Sequence, residues 1–222
     1  MAEPAGPVIL MAEGGVLSKR ELETVAEALW DGQVVAFPTE TVYGLAANAG
    51  SAEAVRRLFD AKGRPEEKAL PVMVADATDL VRYARHVPPA AWALARQFWP
   101  GPLTLVLERT DAICDETVAG GPTVALRLPD HTLARTIIRS AGVPVAVTSA
   151  NRSGEPSTTS AAEVLASLGP SLAVIVETDV PASGLPSTVV DMTVSPPRVL
   201  RWGGVTREQL GRALGEVVDS TT

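Results

Sequence analysis

The sequence predicts an α/β domain built on a single mixed sheet with flanking helices, and three observations carry that prediction. Short apolar runs of strand length, such as Val34-Val35-Ala36-Phe37, alternate with segments whose apolar residues recur at helical spacing. No repeat, low-complexity linker or break in composition divides the 222 residues. Some strand-like runs follow one another with no helix between, so a purely parallel sheet is not expected.

In chain order, residues 7–11 read as an edge strand. Ser18 and Glu21 form a capping box for a helix carrying Leu22, Val25, Ala26 and Leu29, which Asp31-Gly32 ends. The strand 34–37 stops at Pro38. A polar turn follows, with Gly44 expected to let the chain reverse. A helix over 52–61 presents Val55, Leu58 and Phe59 to the core. Residues 70–75 form the next strand, and Asp76 caps a short helix with Leu80, Val81 and Tyr83. Pro88-Pro89 opens a helix that Pro100-Gly101-Pro102 terminates.

Residues 103–108 and 123–128 are strands. Asp130 is expected to cap a helix bearing Leu133, Ala134, Ile137 and Ile138, ending near Gly142. A buried strand over 144–148 runs into Ser149-Ala150-Asn151. Ser160 and Glu163 cap a helix that Gly169-Pro170 ends. Strands at 172–176, 188–192 and 198–202 precede a last helix capped by Thr206 and Gln209. The domain is expected over 8–210, with 1–7 and 211–222 as terminal extensions.

Composition limits the function classes. The chain is 46% apolar and 20% charged, enough for a real core. The net charge of −7 argues against a surface made for nucleic acid. Residues 56–68 run the other way, with Arg56, Arg57, Lys62, Arg64 and Lys68 against Asp60, Glu66 and Glu67. A cationic patch on an acidic body suits a small anion better than a polymer. One cysteine, Cys114, allows no internal disulfide or cysteine metal cluster. Neither a signal peptide nor an apolar run of about 20 residues is present, so a cytoplasmic protein without membrane contact is expected.

The chemistry centres on Pro38-Thr39-Glu40-Thr41-Val42-Tyr43-Gly44-Leu45 and on Lys62, Arg64 and Lys68, the cations expected on an exposed loop. Hydroxyls and a carboxylate at a strand end, met by cations, suit a nucleotide triphosphate. His86 and His131 lie outside any polar cluster and read as surface residues. No Gly-x-Ser-x-Gly elbow, Walker loop or His-Glu-x-x-His helix occurs. An enzyme made of these parts works by positioning and electrostatic stabilisation, as phosphoryl-centre chemistry allows. Arg127, inside an apolar strand, is either salt-bridged or aimed at a ligand carboxylate, and the ligand role is the preferred one.

Those segments, with Pro100-Gly101-Pro102, Thr148-Ser149-Ala150-Asn151, Ser153-Gly154-Glu155-Pro156-Ser157, Ser187-Thr188-Val189 and Arg201-Trp202-Gly203, closely resemble the YrdC family of threonylcarbamoyl-adenylate synthases. The resemblance covers roughly residues 8–210 and the short, single-domain form. It implies a twisted mixed sheet with a concave, basic cavity. It also implies formation of threonylcarbamoyl-AMP and pyrophosphate from L-threonine, bicarbonate or CO2, and ATP with Mg²⁺. The product serves threonylcarbamoyladenosine modification at position 37 of tRNA, through downstream tRNA threonylcarbamoyl-transferase proteins, with weak tRNA binding a further expectation.

Carried over by motif, Lys62, Arg64, Ser149 and Asn151 are catalytic. Arg64, Lys68, Thr123, Ser149, Ser157 and Arg201 would contact ATP. Thr41, Met73, Arg127, Val147 and Ser187 would contact threonine, with Arg127 as anchor for its carboxylate. No protein metal site is implied. Met73 stands where many members have His, and cannot donate the hydrogen bond an imidazole would. The rival readings are a non-catalytic module for double-stranded RNA or tRNA, and a carbamoyl-adenylate enzyme of hydrogenase maturation, which uses a similar domain in a much longer chain.

Overall fold

The computed structural model describes residues 6–63, 65, 68–179, 186–215 and 218–219. The strands are β1 (Val8–Ala12), β2 (Val35–Pro38), β3 (Tyr43–Asn48), β4 (Val72–Met73), β5 (Leu103–Glu108), β6 (Thr123–Arg127), β7 (Val145–Ser149), β8 (Val174–Thr178), β9 (Thr188–Asp191), β10 (Arg198–Arg201) and β11 (Val218–Asp219). The helices are α1 (Lys19–Trp30), α2 (Ala52–Lys62), α3 (Leu80–Tyr83), α4 (Pro89–Phe98), α5 (Thr132–Ala141), α6 (Ala161–Leu168) and α7 (Arg207–Leu214). All the strands join one sheet in the order β1-β8-β2-β3-β7-β4-β6-β5-β9-β10-β11. Parallel pairs (β1 with β8, β5 with β9) mix with antiparallel ones (β2 with β3, β5 with β6), so the mixed sheet is as expected.

Local signals set most helix starts. Ser18 and Thr206 make reciprocal capping boxes with Glu21 and Gln209, and Ser51 and Ser160 accept from the third residue beyond. Three expectations need correction. Residues 43–48 are a central strand, β3, and Gly44 lies inside it rather than at a reversal. The α5 cap is His131, whose Nδ1 accepts from the Ala134 backbone N–H, and not Asp130. The strand expected over 70–75 has a ladder of only Val72–Met73. In addition, α7 runs past residue 210 to Leu214 and β11 pairs with β10, so the sheet continues beyond the expected boundary.

Strand alternation divides the core in two. Ala36, Leu45, Leu105, Leu126 and Ala146 face a layer that includes Leu58 of α2, Leu94 of α4, Val164 of α6 and Leu210 of α7. Val35, Phe37, Ala46, Val145 and Val174 face the other way, onto Val25 and Leu29 of α1 and Leu133 and Ile137 of α5. The α1 and α5 side chains in this second layer meet strands β2, β3, β7 and β8, with Met73 of β4 at its margin. On that same face, the alternate residues of β5, β6 and β9 meet no helix and line a cavity instead. The site lies where the helix layer stops.

Candidate functional site

The cavity encloses about 710 Å³, a size that accommodates a drug-sized or nucleotide-sized ligand. It forms because Thr104 and Val106 of β5, Thr123, Ala125 and Arg127 of β6, and Val189 of β9 all point to the helix-free face. Thr39 and residues 41–44, 147–149 and 186–187 also line it, together with Ser157, Leu200 and Arg201. Its charged lining, among the described residues, is Arg127 and Arg201.

Nine of the residues expected from sequence line this one cavity. Thr41, Met73, Arg127, Val147 and Ser187 line it, as do Thr123, Ser149, Ser157 and Arg201. Lys68 and Asn151 are not among the lining residues. Arg64 lies outside the described residues.

Lys62 requires a correction. It is the last residue of α2 and is 4% exposed, not on an open loop. Its Nζ donates to the carbonyl oxygens of Ser149 (2.6 Å) and Asn151 (2.7 Å), with Ser149 Oγ at 3.3 Å and Asn151 Oδ1 at 3.2 Å. The amide of Asn151 in turn donates to the carbonyls of Arg152 and Glu155. Lys62 and Asn151 therefore shape the loop after β7, and Ser149 is the member of the group that faces the cavity. Because Ser149 Oγ accepts from an ammonium, its own proton is directed elsewhere, and an anionic oxygen in the cavity could take it.

In the turn after β2, Thr39 Oγ1 donates to the Val42 carbonyl at 2.6 Å and accepts from the Thr41 and Val42 backbone N–H groups. Its one proton is committed, so in the 3.0 Å contact between the two hydroxyls Thr41 is the donor. Thr39 holds the turn, and Thr41 offers lone pairs to the cavity. Arg127 is salt-bridged to Glu40 at 2.6 Å, the less favoured of its two expected alternatives, and it also lines the cavity.

Arg201 donates through Nε and Nη2 to the Ser187 carbonyl (3.2 and 3.0 Å) and through Nη2 to Ser187 Oγ (3.1 Å). Ser187 Oγ lies 2.8 Å from Thr104 Oγ1. Thr104 is a lining residue that the sequence hid, as one hydroxyl in the run Leu-Thr-Leu-Val-Leu. Tyr43 also lines the cavity, and burial pushes its phenol above the ordinary value, so it stays protonated.

Glycine permits the close approach of β3 to β7. A Cβ on Gly44 would stand 2.7 Å from Val147 Cγ1, inside the contact limit. Among the described residues no group of three or more His, Cys, Asp or Glu could hold a metal ion, and no helix is long and apolar enough to cross a membrane.

A family model for Sua5/YciO/YrdC, with the description Telomere recombination, matches residues 27–203. The threonylcarbamoyl-AMP synthase of Bacillus subtilis is 43% identical over 198 residues, covering 89% of this chain and 57% of that relative. The enzyme of the same name from Pyrococcus abyssi is 41% identical over 197 residues, covering 89% and 58%. The crystal structure of P. abyssi Sua5 complexed with L-threonine superposes with a TM-score of 0.90 at 38% identity, over 96% of this chain and 62% of that one. The chain thus spans less than two thirds of the length of these relatives.

Proposed function

Because the chain belongs to the Sua5/YciO/YrdC family, we propose that it is an L-threonylcarbamoyladenylate synthase, a nucleotidyltransferase that forms threonylcarbamoyl-AMP and pyrophosphate from L-threonine, bicarbonate or CO2, and ATP. The observation that carries this reading is the convergence of Arg127, Ser149, Ser187 and Arg201, from four separate segments, on one cavity. The helix-free face gives the two substrates a common floor.

The amine of threonine and CO2 form a carbamate, and one carbamate oxygen attacks the α-phosphorus of ATP. The bond to the bridging oxygen breaks and pyrophosphate leaves with that electron pair. Arg127 anchors the threonine carboxylate, with Thr41, Ser187, Met73 and Val147 around the amino acid. Ser149, Ser157, Thr123 and Arg201 contact the nucleotide, whose developing charge needs donors fixed beforehand. Arg64 and Lys68 extend the ATP contacts. Lys62 and Asn151 act by holding Ser149 in place.

Among the described residues the lining supplies hydroxyls and no carboxylate cluster. That donor set fits a Mg²⁺ ion that arrives with ATP and is held by phosphate oxygens and water. The product would pass, in the cytoplasm, to tRNA threonylcarbamoyl-transferase proteins for modification of position 37, with weak tRNA binding at most. A role as a non-catalytic RNA module draws no support from a cavity whose described charges are two arginines.

The test is incubation with ATP, Mg²⁺, bicarbonate and L-threonine, followed by mass spectrometry of the nucleotide product and assay of pyrophosphate. Threonine-dependent appearance of both is expected. Tight RNA retention without pyrophosphate would overturn the assignment.

A further inference from the structure

Glu40 lies in the turn between β2 and β3, where none of the roles proposed above includes it. Its side chain is 16% exposed, and that of Arg127 is 9% exposed. Glu40 Oε1 accepts from Arg127 Nη2 at 2.6 Å and from the Asp130 backbone N–H at 2.9 Å. Arg127 Nε donates to the Gly101 carbonyl at 3.3 Å. A guanidinium is planar, so contacts at Nε and Nη2 fix its orientation. Among the described residues no hydrogen-bond partner takes Nη1.

We propose that Glu40 is the positioning residue for Arg127: it turns the guanidinium so that its remaining donors face the cavity, and it ties the 38–42 turn to the end of β6. This rests on the proposed function, in which Arg127 anchors the carboxylate of the amino acid. The carboxylate of Glu40 leaves the pair close to neutral, so it works by orientation and not by adding charge. An unpaired arginine at this depth would swing toward solvent or other acceptors. The cost of losing Glu40 therefore falls on threonine and not on ATP, which is held by other segments.

Pyrophosphate release is measured against L-threonine at saturating ATP and bicarbonate, and against ATP at saturating threonine, for the unaltered protein and for E40Q, R127M and the E40Q/R127M double variant. E40Q should raise the threonine KM about tenfold and leave the ATP KM within about twofold. In the R127M background E40Q should change the threonine KM by less than about twofold, since a residue acting through Arg127 has nothing left to position. An unchanged threonine KM in E40Q, or the same rise with and without Arg127, overturns the proposal. Should E40Q not fold, E40D, which keeps the charge but not the reach, gives the readout: an intermediate threonine KM supports the role and an unaltered one overturns it. Lack of threonine-dependent pyrophosphate release in the unaltered protein would overturn the proposed function, and this inference with it.

Discussion

The Lys62 ammonium donates to the carbonyl oxygen of Ser149 at 2.6 Å, across 87 residues of chain. The backbone carbonyl of Lys62 also accepts from the Ser153 N–H at 2.8 Å. The end of α2 is thus the mould for the loop that carries Ser149. Lys62→Met should leave the carbonyls of Ser149 and Asn151 in a buried site without their donor, at a cost of about 3 kcal/mol. Urea unfolding should show the midpoint falling together with turnover. A Lys62→Met protein of unaltered stability that had lost turnover would instead point to direct contact with substrate.

Gly44 and Val147 make a second prediction. Ala at 44 would drive a methyl group into Val147 Cγ1, whose position shapes the cavity wall. Gly44→Ala should cost about 1 to 3 kcal/mol by overpacking, and Val147→Ala in the same chain should recover much of it. Melting temperatures of the single and double variants check this.

These two sites show what the sequence could and could not tell. Helix starts were legible at Ser18, Ser160 and Thr206 because a cap and its partner lie three residues apart. Nine of the lining residues were legible as well, through motifs that converge on one cavity, whereas Thr104 was not and Lys68 and Asn151 fell outside it. Strand β3 was not, because Tyr43–Asn48 carries a glycine and two alanines in place of β-branched residues, and its strand character comes from pairing on both sides with β2 and β7. The burial of Lys62 was hidden for the same reason. A lysine beside Gly63 reads as a solvated helix end, and only a contact with β7 makes it a core residue. Glu40 was part of a motif, but its partner Arg127 lies 87 positions away.

Thr104 and Ser187 give a third prediction. Their hydroxyls share one buried hydrogen bond at 2.8 Å, and Arg201 donates to the same Ser187 oxygen. Thr104→Val keeps the shape and removes one partner, so a loss of about 1 kcal/mol is expected. Adding Ser187→Ala should cost less than the sum of the two single changes, because the orphaned hydroxyl is removed. A denaturation double-mutant cycle measures that coupling, expected at about 1 kcal/mol. Strict additivity would show that the hydroxyl pair does not act as a unit.

His131 provides the fourth, in pH. Its Nδ1 accepts the Ala134 N–H at the start of α5, so the folded protein needs that nitrogen unprotonated. Burial lowers the imidazole pKa from 6.5; Glu40 and Asp130 oppose this and Arg135 adds to it. The unfolded chain therefore takes up a proton before the folded one does. The cap contributes fully above 6.5, and that contribution shrinks as pH falls below 6.5 toward the lowered folded value. Asn at 131 can cap without titrating in this range. Stability of His131→Asn, followed by urea unfolding from pH 8 downward, should lose less on acidification than the unaltered protein. Parallel pH profiles for the two would show that the imidazole does not carry the slope.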